Sequence, residues 1–238
     1  MVIALAGNPN TGKSTLFNAL TGLKQHTGNW PGKTVMKVEG RYIFRKKEFI
    51  LVDLPGTYSL LANSVEEQVA RDFICFACPD ATVVVTDATC LERNLNLVLQ
   101  VLEITSRVVV CVNMMDEAER KKIRVDTEIL SKELGVPAVA ITARNGRGFR
   151  ELLDAIHDVA GGVITTSPRL VLYNPEIERM VTGLEQKIGP LLPERLNPRW
   201  VALRLIDGDH SILNAIKCYL GGNAEVKGKV HASNTRCS

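Results

Sequence analysis

The residues Gly7-Asn8-Pro9-Asn10-Thr11-Gly12-Lys13-Ser14 carry the spacing G-x-x-x-x-G-K-[ST], and the apolar run Val2-Ile3-Ala4-Leu5-Ala6 leads directly into them. Such a run reads as a buried strand, and Leu16, Phe17 and Leu20 recur at helical spacing behind it, predicting a helix over 13–20. Strand, glycine loop and helix in that order open an α/β sheet. Gly7 and Gly12 let the backbone curl so that successive N–H groups point inward, and the helix aims its positive end at the same spot. A polyphosphate fits there. Lys13 reaches the outer phosphates as a point charge, the Ser14 hydroxyl is placed for a magnesium ion bridging two of them, and Thr15 closes the loop's contact set.

Further apolar runs at 35–44, 49–52, 81–86, 107–112 and 137–141 read as strands, with helical patterns near 66–76, 91–104, 126–134 and 149–160. Ser64 and Glu67 form a capping box for the first of these helices. Only Arg45-Lys46-Lys47 separates the second and third strands, too few residues for a crossover helix, so these two form an antiparallel hairpin on an otherwise parallel sheet. With 238 residues the chain can hold one sizeable core and an appendage. The pattern breaks at Gly161-Gly162 and the connector Thr165-Thr166-Ser167-Pro168, which sets a nucleotide-binding domain at 1–165. Asn174-Pro175, the stripe Ile177, Met180, Val181, Leu184 and Ile188, and two later apolar groups around Trp200 and Ile212 predict a small helical domain over 166–222. The polar residues 223–238 are expected to be a disordered tail.

Asp53-Leu54-Pro55-Gly56 ends the third strand. There Asp53 can hold magnesium through water, and the Gly56 N–H can touch the terminal phosphate, with Leu54 and Pro55 shaping the turn. Asn113-Met114-Met115-Asp116 follows the fifth strand, at the corner where guanine-nucleotide proteins carry N-K-x-D. The Asp116 carboxylate can accept both the ring N–H and the exocyclic amine of guanine, a donor pair that adenine lacks, so an ATPase reading fails on this residue. Asn113 is expected to tie the corner to the phosphate loop, and Met114 to lay a thioether on the ring where lysine is usual. Thr142-Ala143-Arg144 stands where a backbone N–H would meet the guanine carbonyl. The glycine-rich segment 26–34 includes Gly32, Lys33 and Thr34. It is a candidate switch, with Thr34 closing on magnesium, and 57–63 is the second. Trp30 in the first is either a surface anchor or half-buried.

Hydrophobic residues at 45%, charged residues at 23% and a net charge of +3 describe an ordinary globular chain. No apolar run nears the roughly 20 residues of a spanning helix, and Met1 enters a strand at once, so a cytosolic chain without a signal peptide is expected. Short basic clusters such as Arg120-Lys121-Lys122 make no nucleic-acid stripe. Six cysteines are expected as reduced thiols, with Cys75 and Cys78 in the core, and the scattered histidines have no metal-ligand spacing.

G-N-P-N-T-G-K-S, G-N-W-P-G-K-T, D-L-P-G-T-Y-S-L and N-M-M-D together resemble the cytosolic N-terminal region of the ferrous iron transport protein B family, over residues 1 to about 165. The helical remainder is similar in position and length to that family's domain inhibiting nucleotide release. The resemblance implies a P-loop (Ras-like) GTPase fold that binds GTP and GDP and hydrolyses slowly. It places the chain at the cytoplasmic face of the cell membrane as a fragment of an iron(II) transporter. Its implied partner is the membrane-embedded portion of the same polypeptide, with a homo-oligomer as a candidate assembly and no nucleic acid. Asn10 matches the asparagine that in this family helps coordinate a potassium ion between the phosphates. Lys13, Thr34, Gly56 and Asn10 form the implied catalytic set, and Thr57 stands where related GTPases place a water-positioning glutamine. Lys33 departs from the residue common before the threonine. Two other readings share these motifs: a soluble GTPase acting in RNA modification or ribosome assembly, and a nucleotide-gated binding module.

Overall fold

A computed structural model describes residues 1–22, 25–61, 63–193 and 196–221. The expected tail 223–238, the thiol of Cys218, Cys237 and His231 lie outside the described residues. The chain divides into two compact units, Met1–Leu172 and a second that opens at Tyr173.

In the first unit a seven-stranded sheet has the order β2-β3-β4-β1-β5-β6-β7. The strands are β1 (Val2–Gly7), β2 (Gln25–Asn29), β3 (Met36–Phe44), β4 (Lys47–Asp53), β5 (Ala81–Asp87), β6 (Val108–Asn113) and β7 (Ala138–Ala140). β3 pairs antiparallel with both β2 and β4, and every other pairing is parallel, so β3 alone runs against the rest. The helices are α1 (Lys13–Thr21), α2 (Val65–Asp72), α3 (Leu91–Ile104), α4 (Met115–Arg120), α5 (Thr127–Leu134) and α6 (Phe149–Ala160). β1, β5 and β6 are nearly continuous valine, isoleucine, leucine and alanine because both their faces are covered. Ile3, Leu5, Val83, Val85 and Val109 join Leu16 and Phe17 of α1 and Leu152 and Ile156 of α6 in one core. The alternate residues Ala4, Val84 and Val110 turn to the opposite face.

Three features depart from the pattern read in the sequence. Residues 25–29, part of the segment read as a loop, form edge strand β2, which leaves Trp30–Val35 as the irregular piece. α2 does not run on regularly to residue 76 but widens into a π-helical turn, Phe73–Ala77, with Cys75 buried and Cys78, expected in the core, only partly buried because the chain turns there into the left-handed region. α4 had no periodic signal, being only six residues long. The β3–β4 turn places Arg45 and Lys46 at φ 47 and 62, the geometry of a tight two-residue hairpin with non-glycine residues in both positions. Ser64 caps α2 through the Glu67 N–H (3.1 Å), while the Glu67 carboxylate accepts from the N–H of Asn63. Cys75, Cys78, Cys90 and Cys111 form no disulfide among the described residues.

Residues 166–172 stay with the first unit: Ser167 N–H donates to the Gly135 carbonyl and Arg169 N–H to that of Leu134, at the end of α5. Among the described residues no helix is long and apolar enough to cross a membrane.

The second unit holds α7 (Pro175–Ile188), α8 (Pro198–Ile206) and α9 (His210–Gly221). Asn174 and Asn197 cap the first two, each followed by proline at the position where a missing N–H costs nothing. Val181, Ala202 and Leu203 form its apolar centre. Across α7 and α8, Arg199 grips Glu178 with two parallel bonds of 2.8 and 2.9 Å, and the Tyr173 N–H adds a third. The Arg199 bonds, then the Tyr173 bond, hold the Glu178 pKa down to about 2 from an ordinary 4.5. A depressed carboxyl stabilises the fold above its unfolded pKa and loses that stabilisation as pH falls through the folded one. Acid titration followed by helix circular dichroism is expected to show a loss of stability between about pH 4.5 and 2 that Glu178→Gln removes.

Candidate functional site

Ligands of open α/β sheets bind beyond the carboxyl ends of the strands, where neighbouring connections leave in opposite directions. β1 is that place here: it lies between β4 and β5, and the segments after β1, β4, β5 and β6 all emerge at one edge. The loop after β1 curls through Asn10 at φ 66 and Gly12 at φ 82 before α1 begins. Gly12 has two reasons to be glycine. Its φ disfavours a side chain, and a Cβ there would lie 2.3 Å from the Nδ2 of Asn113. Gly7 is equally confined, since a Cβ would stand 2.6 Å from the Val85 carbonyl oxygen.

Asn113, at the end of β6, is buried and fully used: its Nδ2 donates to the Thr11 carbonyl (2.9 Å) and its Oδ1 accepts from the Ala143 N–H (2.9 Å). One amide therefore joins the phosphate loop, the β6 corner and the loop after β7. Around it opens a cavity of about 300 Å³ lined by Gly12, Thr15, Asn113, Met114, Asp116 and residues 142–144, together with Asp87, Thr89, Glu117 and Lys121. The last four were not singled out by sequence. Asp87 and Thr89 cap the end of β5, Asp87 accepting from the Thr89 N–H, and Glu117 and Lys121 lie on and just past the unpredicted α4. Met114 takes the left-handed conformation (φ 64) and brings its Cε to 3.7 Å from the Cβ position of Gly12. Thr142 lines this cavity, and its hydroxyl is buried without a partner among the described residues; the side chain of Asn8, within the phosphate loop, is likewise buried without one among them.

At the other end, Lys13 Nζ donates to the Asp53 carboxylate and to the Leu54 carbonyl. Burial pushes the Asp53 carboxyl up, and the Lys13 charge and hydrogen bond pull it part of the way back. The exposed Ser14 and the partly buried Asp53 offer oxygen ligands, the donor set magnesium prefers. Gly56 packs on the phosphate loop, its Cβ position 3.4 Å from the Pro9 Cα. The Thr57 N–H donates to the Gly7 carbonyl (3.3 Å), while its hydroxyl is turned into its own loop on Ser59. Leu60 N–H is held by Gln100 of α3 (2.6 Å). Gly32, Lys33 and Thr34 are exposed in the Trp30–Val35 loop, and Thr34 makes no hydrogen bond to Ser14 or Asp53. Asn10 is exposed on the phosphate loop, and Arg144 on the cavity rim.

This arrangement defines a P-loop α/β domain with a base-sized cavity beside its phosphate loop. Residues 1–156 match the family model "Ferrous iron transport protein B", and residues 173–238 match that of the "FeoB cytosolic helical domain". The chain belongs to the ferrous iron transport protein B family. It is 40% identical over 215 residues to the Fe(2+) transporter FeoB of Salmonella typhimurium, covering 88% of this chain and 27% of that protein. The chain thus spans about a quarter of the length of such relatives. Among solved structures, the cytosolic domain of T. maritima FeoB in a GDP form superposes with a TM-score of 0.83 at 36% identity, covering 91% of this chain and 84% of that one. The cytosolic domain of L. pneumophila FeoB gives 0.80 at 34%, covering 91% and 92%.

Replacing Asn113 with alanine strands the Thr11 carbonyl and the Ala143 N–H in a buried place. Denaturant unfolding of Asn113→Ala is expected to show a loss of about 2–6 kcal/mol, from two buried partners left unpaired at about 1–3 kcal/mol each.

Proposed function

We propose that this chain is a guanine-nucleotide switch that hydrolyses GTP slowly and serves as the cytosolic domain of an iron(II) membrane transporter. The observation that carries it is the Asn113 bracket, which puts Asp116 and the phosphate loop on one cavity. The family membership supports the transport role, as the relatives are named Fe(2+) transporters. The second unit, matched by a FeoB helical domain, gives no support to an RNA-directed GTPase.

In this reading Lys13 leaves Asp53 for the outer phosphates, and Ser14, Asp53 and, after closure, Thr34 would hold magnesium. The metal would supply positive charge to the phosphates. Backbone N–H groups from Gly7 to Thr15 cradle the phosphates, and the Gly56 N–H reads the terminal one. Asp116 accepts the two guanine donors, and Met114 packs on the ring. The Ala143 N–H is occupied by Asn113, which leaves that of Arg144 as the backbone donor for the guanine carbonyl. With the Thr57 hydroxyl held by Ser59, no side chain at that position orients the attacking water, which accounts for slow turnover. Asn10 would hold a potassium ion, which would supply the positive charge that an arginine finger gives elsewhere.

Two measurements test this. Calorimetry of Asp116→Asn is expected to show a loss of GDP affinity of about 10- to 100-fold, the worth of a charge-assisted pair, with gain of xanthosine diphosphate binding. Unchanged GDP affinity would contradict the base assignment. Phosphate release is expected to be severalfold faster in potassium than in sodium, and Asn10→Ala to equalise the two; equal rates in the unsubstituted chain would remove potassium from the scheme.

A further inference from the structure

Trp30 is neither an exposed anchor nor half-buried: only 9% of it is accessible, and its ring meets Phe73 edge-on at 5.3 Å and 70°. Phe73 begins the π-helical turn that closes α2, the helix following the second switch segment. Insertions of this kind inside helices concentrate at functional places. Trp30 also shuts its own loop, since its N–H donates to the Val35 carbonyl (2.9 Å) and its carbonyl accepts from the Lys33 N–H (3.0 Å). Thr34 lies inside that closed turn. Lys33 Nζ reaches Gln68 of α2 (3.1 Å), and Lys37 of β3 stands 5.3 Å over the indole. The indole N–H is buried without a partner among the described residues.

We propose that Trp30 is a positioning residue for Thr34: docked on Phe73 it latches the Trp30–Val35 turn, and the latch releases when Thr34 closes toward Ser14 and Asp53. The inference rests on the nucleotide reading above. Burial of the indole, an aromatic edge contact and a cation over the ring favour the docked state, and a buried unpaired N–H offsets part of that gain. The offset lowers what a terminal phosphate must supply, through one threonine, to release the latch. Because Phe73 belongs to the element after α2, undocking also alters the support of the second switch segment. The two segments then respond as one, through a ring contact rather than through the nucleotide alone.

The chain contains two tryptophans, so Trp200→Phe in α8 leaves Trp30 as the sole indole reporter. Its emission is expected to shift red and become more open to quenching when GDP is replaced by a non-hydrolysable GTP analogue with magnesium. Phe73→Ala and Trp30→Ala should raise the affinity for the analogue relative to GDP by about tenfold, equal to 1.4 kcal/mol, while Trp30→Phe keeps a ring contact, loses the opposing N–H and should not raise the ratio. Phe73→Leu, milder in volume, should move the ratio in the same direction. If both nucleotides bind and neither the emission nor the ratio moves, the latch is wrong and the nucleotide reading stands. If neither nucleotide binds the unsubstituted chain, both fall.

Discussion

The Asn113 side-chain amide is the joint on which this site depends. It spends its donor on the phosphate loop and its acceptor on the loop after β7, and the two bonds fix the spacing between the places for phosphate and for base. A buried amide with both ends satisfied tolerates neither displacement nor loss of either partner, because each stranded group would keep its full desolvation cost. Gly12 follows from this: the close approach of the Asn113 amide leaves no room for a Cβ. The sheet order does the rest, since β1 and β6 flank β5 and deliver both loops to the same edge.

Around that rigid joint the remaining groups are poised rather than settled. Burial raises the Asp53 carboxyl and Lys13 pairs with it, two groups that a magnesium-bound phosphate would redistribute. The Thr142 hydroxyl and the Asn8 amide are buried without partners among the described residues, and Asn10 and Met114 sit in the left-handed region. Local strain and unpaired polar groups cluster at functional places, and here they lie along one strip from the phosphate loop to the base cavity. The Trp30–Phe73 contact extends the strip to the helix beyond the second switch segment.

Much of this was legible in the sequence because each signal has a local physical cause. The glycine loop, the lone hairpin at residues 45–47 and the capped helices at Ser64 and Asn174 are all written in neighbouring residues. What was not legible depends on partners distant in the chain. β2 has a polar sequence, Gln25-His26-Thr27-Gly28-Asn29, and is a strand only because β3 pairs with it. α4 is too short to show a period, so Glu117 and Lys121 went unassigned to the cavity. The burial of Trp30 depends on Phe73, 43 positions later, and no spacing rule connects them.

The account stands or falls on base choice at the cavity beside the phosphate loop. Calorimetric titration of the chain with GDP and with ADP, at matched magnesium and potassium, tests it most directly. GDP is expected to bind at least about tenfold more tightly, the difference that one charge-assisted pair at Asp116 provides. Equal affinities for the two diphosphates, or binding of neither, would contradict it.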